Sequence, residues 1–480
     1  MIKAFYILLP ALLIQLPGIS QVPLPAVINK DTLLTEEGSP YYIKQNVSIN
    51  AGITLKISEG TEILISDGVS ITNLGRLIVQ GSETKQVLFI SDSPETRWNY
   101  ISNEGSLYAS YTTIRRAVRF VSSSGDTLVL EHCDISDTYG VAGDDCIAAH
   151  DAKKVIISNT RLTGNPDTGK TDAIDLDGVS GGTVSGNAIS GYSDDGIDIG
   201  TGSSNMVVAE NEIHFCDMGI SVGEGSTVLA YKNLVSHSNA GIQSHTGAIV
   251  DARLNTLYGN NYGIRALHYD GEESSGGNIL VSSSIITGSI LGDAIGVSNS
   301  TTAFEYTLTD LKLLAGTGNV TGDPGFLDVD NGNFHLSASS DAIDAGNPDL
   351  DGDGVDYLAD EDDRDPDGTR LDMGCYPYSH TSMEVEESSP LMRPVRMDPS
   401  GEVLFLDLEE ETGTSIHVGI FTITGILIRS MDFQAAGGME TKVWNPGIRN
   451  AGAYVIRVTA QGREGRREGS QLLIFPGGPG

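Results

Sequence analysis

Residues 183–213 read TVSGNAISGYSDDGIDIGTGSSNMVVAENEI, and this stretch contains one complete unit of a repeat. Within it, Asn187 and Asn211 stand 24 residues apart, each shortly before an isoleucine. Asparagines in similar phrases continue the series in both directions, at spacings of 28, 24, 22 and 22 residues, and they are Asn159, Asn187, Asn211, Asn233 and Asn255. A phrase that returns every ~22–28 residues indicates a solenoid in which each repeat forms one coil.

A column of isoleucines runs in step with the asparagines, one strand further along each repeat. Its members follow Cys, Ala or Gly, and they are Ile147, Ile174, Ile197, Ile220, Ile242, Ile264 and Ile295. Short segments of alternating apolar and polar residues, separated by turns of Gly, Asn, Asp and Ser, predict β-strands. Because one coil cannot bury its apolar face alone, we expect the isoleucines to stack inward. We also expect the asparagines to form an inward ladder in which each amide binds its neighbours.

The composition excludes several classes of protein. The chain has 480 residues, of which 58 are glycine, and beyond its first residues it has no apolar run long enough for a transmembrane helix. Its 29 basic and 64 acidic residues give a net charge of −35, which argues against a nucleic-acid partner. Solubility explains most of such a charge, and metal cations are the natural partners of so many carboxylates. Four cysteines without a C-x-x-C pair predict neither a disulfide scaffold nor a zinc site, and pairing of Cys133 with Cys146 stays open.

The period and the asparagine phrases resemble the right-handed parallel β-helix repeat of pectate-lyase-like proteins, most clearly over residues 129–300. With the strand-like runs after residue 396, this predicts an all-β chain: a right-handed single-stranded parallel β-helix followed by a small C-terminal β-sandwich. The predicted divisions are a signal peptide (1–20), an N-terminal cap with the first coils (21–95), the main β-helix (96–340), an acidic calcium-loop segment (341–378), a linker (379–395) and a C-terminal domain (396–480).

Both ends of the chain predict export. Lys3, the apolar residues 4–16 and the small residues up to Ser20 form the pattern of a secretory signal peptide. Residues 396–480 contain about six or seven strand-like runs, and their order, with the Gly-Ala-Tyr phrase at 452–454 before a strand, resembles the type IX secretion system C-terminal sorting domain. That resemblance implies the outer-membrane secretion machinery of a Gram-negative bacterium as a partner. We expect a monomer that is secreted or attached to the cell surface.

Three consecutive coils carry acidic turns beside the isoleucine column, and these are GDDCIAAHD at 143–151, TDAIDLDG at 171–178 and SDDGIDIG at 193–200. Aligning the isoleucines places one line of side chains at Asp145, Asp172 and Asp195. It places a second line at Asp175 and Asp198, continued by Ser221, Gln243 and Arg265. Because neighbours in a strand point to opposite faces, inward isoleucines put this second line outside, with ~5 Å between coils.

This acidic patch is a candidate site for calcium and uronate. Carboxylates that lie so close repel one another, so some must be protonated or bind a cation, and several oxygen ligands suit calcium. The phrase at 194–198 also resembles the Asp-Asp-x-x-Asp calcium-binding phrase of some β-helical pectate lyases, in which calcium holds a uronate carboxylate and a Lys or Arg removes the C5 proton. The candidate ligands are Asp172, Asp175, Asp194, Asp195 and Asp198. The candidate bases are Arg265 and Lys232.

A second candidate calcium site follows the predicted helix, where residues 349–360 read DLDGDGVDYLAD. The spacing matches positions 1, 3, 5 and 12 of an EF-hand-like or dockerin-like loop, with Gly354 at the sharp bend. The candidate ligands are Asp349, Asp351, Asp353 and Asp360. Residues 341–372 contain 13 acidic residues and two arginines, a net charge of −11, which favours a structural calcium ion over a solvated loop.

Three functions remain open at this point. The first is calcium-assisted binding, with lyase-type cleavage, of acidic polysaccharide. The second is a non-catalytic surface or adhesion scaffold, in which the Asp-Gly phrases serve only as turns. The third function follows from a resemblance to polygalacturonases. Residues 143–145 resemble the Gly-Asp-Asp phrase of that family, and residues 263–265 (Gly-Ile-Arg) resemble the start of its Arg-Ile-Lys phrase. Met218 departs from that family's pattern because it stands where a catalytic-region histidine is expected.

Overall fold

The computed structural model describes most of the chain, namely residues 22–138, 143, 145–167, 169–268, 276–296, 299–310, 314–361, 363–380, 395–397, 404–410, 412–422, 427–448, 452–462 and 465–475. The predicted signal peptide (1–20) and most of the predicted linker (379–395) lie outside the described residues. Among the residues described, no helix is long and apolar enough to cross a membrane.

Three parallel sheets form the body of the molecule, and each coil contributes one strand to sheets 1, 2 and 3 in turn. Sheet 1 consists of Val22–Pro23, Tyr41–Ile43, Glu62–Ile65, Val87–Ser91, Thr112–Arg115, Asp134–Ser136, Arg161–Thr163, Ala188–Ser190, Glu212–His214, Leu234–Ser236, Thr256–Tyr258, Ile285–Thr287, Leu308–Thr309 and Val320–Thr321. Sheet 2 consists of Val27–Ile28, Val47–Ile49, Ile71–Asn73, Ile101–Asn103, Val121–Ser123, Ile147–His150, Ile174–Asp177, Ile197–Gly200, Met218–Val222, Ala240–His245, Tyr262–Leu267 and Gly292–Gly296. Sheet 3 consists of Thr32–Leu34, Thr54–Ser58, Arg76–Gln80, Ser106–Ser110, Thr127–Glu131, Val155–Ser158, Thr183–Ser185, Met206–Ala209, Thr227–Tyr231, Ile249–Arg253, Asn278–Ser282 and Thr301–Glu305.

The predicted parallel β-helix is therefore confirmed, with about twelve coils. Two short 3-10 helices, Glu36–Gly38 and Val329–Asn331, and an antiparallel pair formed by Phe326–Asp328 and Asn333–Leu336 complete this part of the chain.

The apolar interior of the helix is built from stacked columns of identical or similar side chains. In sheet 2 the column consists of Ile147, Ile174, Ile197, Ile220, Ile242 and Ile264, all fully buried. The next strand pairs Ala294 with Ile264 and Ile295 with Arg265, so the prediction that Ile295 continues the column is wrong by one residue. An Ala-Ile pair offers two adjacent apolar residues, and the apolar pattern alone does not decide which one pairs with Ile264.

An asparagine ladder runs up the interior at the turn that leads into sheet 1. The Nδ2 of Asn187 donates to Oδ1 of Asn211 at 2.9 Å, Asn211 donates to Asn233 at 2.9 Å, and Asn233 donates to Asn255 at 3.0 Å. Each Oδ1 also accepts the backbone N–H of the asparagine one coil earlier. The repetition satisfies amides that are at most 1% exposed.

Asn159 does not belong to this ladder, which corrects the prediction from the sequence. Asn159 is exposed and has a left-handed backbone (φ 48°), and Gly186 occupies the matching position one coil later. Thr160 takes the ladder position instead, because its backbone N–H donates to Oδ1 of Asn187 at 2.9 Å. Cys133 precedes it in the column and donates its N–H to Thr160 Oγ1. The chain's four cysteines are all buried free thiols, so Cys133 is not paired with Cys146.

The segment that follows the helix packs back against the outer face of sheet 1. Cys375 donates its backbone N–H to Thr256 Oγ1 at 3.0 Å, although 119 residues separate them. Leu234, Phe334 and Cys375 share one small apolar cluster on that face. The acidic segment is therefore held by the last coils.

The described residues beyond 395 form two small antiparallel sheets around one apolar core. The first sheet consists of Arg396–Met397, Leu404–Glu410 and Gly438–Trp444. The second consists of Leu427–Gln434, Ser415–Thr422, Gly452–Gly462 and Gly465–Phe475. The Gly-Ala-Tyr phrase at 452–454 opens a strand and does not precede one, because Gly452 already pairs with Phe475.

Candidate functional site

The outer line of acidic residues lies on sheet 2. Asp175 pairs directly with Asp198 of the next coil, and Ser221, Gln243 and Arg265 continue this column in the following strands. Because the isoleucines that precede both aspartates are fully buried, the aspartates point away from the core. The register therefore brings Asp175 and Asp198 together, one strand apart.

The second acidic line lies at the turn that leads into sheet 2. Asp145 Oδ1 accepts the backbone N–H of Asp172 at 3.0 Å, Asp172 Oδ1 accepts that of Asp195 at 2.7 Å, and Asp195 Oδ1 accepts that of Met218 at 3.2 Å. Each carboxylate thus uses one oxygen to hold the backbone of the next coil. Oxygen atoms of Asp172, Asp194 and Asp195 also lie within 4.8 Å of one another, a spacing that a cation could bridge.

His150 belongs to the same face of sheet 2, which the sequence analysis did not predict. Its Nδ1 lies 3.3 Å from Asp177 Oδ2, and its Nε2 lies 4.0 Å from Asp175 Oδ2. Thr201 Oγ1 donates to Asp177 at 2.8 Å and lies 2.9 Å from Glu224 Oε2, which extends the acidic surface by one coil. Within its own repeat, the spacing of residues around His150 does not indicate a metal site. The register between coils is the signal that reveals its acidic neighbours.

Burial and mutual repulsion make these carboxyl groups hard to ionise. Burial, together with repulsion from neighbouring carboxylates, raises the pKa of Asp172 to about 10 and the pKa of Asp175 to about 8. Burial raises the pKa of Asp198 to about 6, although a hydrogen bond with Ser221 acts in the opposite direction. Asp195 is 7% exposed, and burial raises its pKa well above the ordinary range. A proton or a cation would relieve each of these groups.

Neither predicted base lies beside the carboxylates. Arg265 is in the same outer column but three strands beyond Asp198, a separation of ~14 Å at ~4.8 Å per strand. Lys232 lies at the turn between sheets 3 and 1, across the coil from sheet 2, with its Nζ 5.5 Å from the ring centre of Tyr231. This position in the coil places Lys232 away from the site. The repeat spacing alone could not predict it, because the spacing does not locate the turns between the sheets.

Lys170 is a cation that does reach the site. Its Nζ lies 3.1 Å from Asp194 Oδ1 and 3.9 Å from Asp217 Oδ2. The hydrogen bond with Asp194 raises the pKa of Lys170, and the nearby negative charges add to this. Lys170 therefore stays protonated and offsets only part of the acidic charge.

We expect the stability of the protein to fall as pH rises when divalent cations are absent. The pKa values of Asp172, Asp175 and Asp198 are higher in the folded protein than the ~3.9 of an unfolded chain, so the folded state binds more protons. Their contribution is complete below about pH 4 and is lost as pH rises through about 6, 8 and 10. Urea denaturation at pH 5, 7 and 9 with chelator should show this loss.

Calcium should reduce the loss between pH 7 and 9, because a bound cation replaces the protons. The Asp175→Asn variant cannot ionise at that position and should lose part of the pH dependence. A urea midpoint that is constant or rises with pH in chelator would contradict this prediction.

The predicted calcium loop is divided between two groups of carboxylates. Oxygen atoms of Asp349 and Asp351 lie within 4.8 Å of one another and of Asp363, which the sequence analysis did not include. Asp351 also groups with Asp353 and Asp360. The four predicted ligands therefore do not form one group by themselves, because Asp349 turns towards Asp363.

The comparisons with known proteins concern the fold. A family model described as a right-handed β-helix region matches residues 149–310, in agreement with the handedness predicted from the repeats. The chain is similar to solved structures of a periplasmic alginate epimerase (11% identity, 61% of this chain and 77% of that chain, TM-score 0.34) and a pectate lyase (12% identity, 69% and 89%, TM-score 0.36). It is also similar to an Acinetobacter phage tailspike protein (8% identity, 90% and 73%, TM-score 0.29). No curated protein matches the chain.

Proposed function

We propose that this protein binds acidic polysaccharide on the outer face of sheet 2, with a divalent cation between its carboxylates and those of the sugar. The observation that carries the proposal is the grouping of Asp172, Asp194 and Asp195 within 4.8 Å, next to Asp175 and Asp198 on the paired strands. Adjacent carboxylates that are half-buried or buried are costly to a fold unless something offsets their charge.

The donor set fits calcium, because it consists of carboxylate oxygens at the turn into sheet 2 and on the outer face of that sheet. When bound, calcium would neutralise these groups and attract a uronate carboxylate. The chain itself fixes the positions: the backbone N–H groups of Asp195 and Met218 hold the carboxylates of Asp172 and Asp195 in place. A site held by backbone hydrogen bonds is pre-organised for its ligand.

Arg265 suits a second contact with such a ligand. It lies in the same outer column as Asp198, at ~14 Å, and its guanidinium stacks 5.4 Å from the ring centre of Tyr262. Arginine binds carboxylates through two parallel hydrogen bonds. A cation site at one end of the column and Arg265 at the other suit an extended anionic polymer better than a small molecule.

Cleavage of the polymer is a second candidate function, and His150 favours it. Its imidazole lies beside Asp175 and Asp177, and a carboxylate next to a histidine is a common arrangement for proton transfer. In a lyase reaction His150 would take the C5 proton, the C5–H electron pair would form the C4=C5 double bond, and the C4–O pair would leave with the oxygen, which takes a proton from water. An inverting hydrolase of the polygalacturonase kind has less support, because oxygen atoms of Asp172, Asp194 and Asp195 lie within 4.8 Å of one another, closer than the ~6.5–9.5 Å between the carboxyl groups of inverting enzymes.

The location of the protein belongs to the same proposal. The signal pattern at 1–20 and the type IX resemblance of 396–480 support export to the surface of a Gram-negative bacterium, where calcium is available. A non-catalytic surface scaffold uses the same export route and differs only in lacking the glycan site.

The test is incubation of the purified protein with uronate-containing and neutral polysaccharides, in calcium and in chelator. Retention of uronate polymers in calcium alone is the expected result. Unsaturated ends absorbing in the ultraviolet would establish the lyase reaction, and new reducing ends without that absorbance would establish hydrolysis. If the protein neither retains nor cleaves any polymer of the panel, the proposal is overturned in favour of the scaffold.

A further inference from the structure

Asp363 has an enclosed carboxylate oxygen for which the described residues provide no hydrogen-bond partner. The residue is 1% exposed, and its Oδ1 accepts the backbone N–H of Leu350 at 2.7 Å. Its Oδ2 is buried and accepts no hydrogen bond in the described part of the chain. Burying a charged oxygen without a partner is costly, so a native fold normally supplies one.

Two further carboxylates face the same point. Oxygen atoms of Asp349, Asp351 and Asp363 lie within 4.8 Å of one another. The N–H groups of Gly352 and Gly354 hold the Asp349 carboxylate at 2.9 and 3.2 Å. Both glycines have left-handed backbones (φ 79° and 88°), which lets the loop curl around this point. The turn therefore presents three oxygens at hard-cation spacing, one of them buried.

We infer that a calcium-type divalent cation binds between Asp349, Asp351 and Asp363. Asp363 is the inner ligand, at position 15 of the loop that begins at Asp349, and not at position 12 as in an EF-hand-like loop.

The cation would lock the acidic segment onto the helix. Leu350 links the two, because its N–H binds Asp363 and its carbonyl oxygen accepts from Nη1 of Arg253 in sheet 3 at 2.9 Å. Asp251 holds that arginine in place with an ion pair of 2.6 Å. Nearby, the N–H of Asn347 donates to Ser283 Oγ at 2.8 Å. Binding at Asp363 therefore fixes the loop against the last coils.

Hydrogen exchange of the full chain, with calcium and with chelator, tests this site because it reports each segment separately. Calcium should slow exchange at the amides of Leu350, Gly352 and Gly354 at least tenfold. Asp363→Asn should abolish that protection. Asp356→Asn removes the same charge from an exposed residue of the same loop, outside both carboxylate groups, and should keep the protection.

The sheet 2 site cannot produce this local signal, so an Asp175→Asn variant should also keep the protection, whatever the fate of the polysaccharide proposal. Asp349→Asn provides a second test if Asp363→Asn fails to fold. Calcium that leaves the 349–363 amides of the wild-type protein unchanged would overturn the inference. Equal protection in the wild type and in either ligand variant would overturn it as well.

Discussion

The double variant Asp175→Asn/Asp198→Asn should lose retention of uronate polysaccharide by at least a hundredfold in calcium. It should also be more stable than the wild type at pH 8 in chelator, by more than about 1.4 kcal/mol, the equivalent of one pKa unit, because both carboxyl groups have raised pKa values in the folded protein. Asparagine keeps the shape of aspartate and removes the charge. Asp172 and Asp195 hold the backbone of the next coil, and the substitution leaves both of them unchanged. It therefore keeps the hydrogen bonds of the second acidic line.

A variant that binds less polysaccharide but is more stable identifies these carboxylates as a ligand site and not as a structural one. Residues kept for function commonly cost stability, whereas turn residues kept for the fold contribute to it. Asp126→Asn is the matched control, because Asp126 is 64% exposed and pairs at the surface with Lys153, and it should leave both properties nearly unchanged. A double variant that is less stable and binds normally would show that the carboxylates are structural.

Asn211→Ala should be among the most destabilising single substitutions in the helix, at about 3–5 kcal/mol. Asn211 is fully buried and donates to Val184 O and to Asn233 Oδ1, both at 2.9 Å. Its Oδ1 accepts two hydrogen bonds from Asn187, one from the backbone and one from the side chain. Alanine leaves the buried backbone N–H of Asn187 without its acceptor and removes one hydrogen bond each from Asn187 Nδ2, Val184 O and Asn233 Oδ1, at ~1–3 kcal/mol for a group left unsatisfied.

Urea denaturation monitored by circular dichroism measures this effect. Asn159→Gly is the control, because Asn159 is exposed, has a left-handed backbone that suits glycine, and lies one residue from the ladder position held by Thr160. It should change the urea midpoint little. Similar losses for both variants would mean that the ladder has no special role in the stability of the helix.

The repeats predict the fold well because every coil must bury an apolar face and pair its inward polar groups against the neighbouring coils. The spacing from Asn187 to Asn255 is nearly constant, and there the predicted and observed ladders agree residue by residue. The agreement stops where the spacing changes, as at Asn159, which stands 28 residues before Asn187. An asparagine phrase shows where a coil lies in the sequence, but it does not decide which of two adjacent residues points inward.

The candidate site was only partly predictable for a related reason. The stacking of Asp175 on Asp198 follows from the isoleucine register, which the sequence displays. The contact between His150 and Asp177 follows from the same register, because the two residues pair directly in adjacent coils. The role of Asp363, in contrast, depends on how an irregular loop folds back on itself. Periodicity predicts positions within coils, whereas contacts made by turns and loops depend on backbone angles that no repeat specifies.

The most direct test of the central claim is calorimetric titration of the purified protein with a uronate oligosaccharide at pH 7, once in calcium and once in chelator. Saturable binding is expected in calcium and none in chelator, with binding lost in the Asp175→Asn/Asp198→Asn variant. Equal affinity in calcium and chelator, or equal affinity in the variant and the wild type, would contradict the claim.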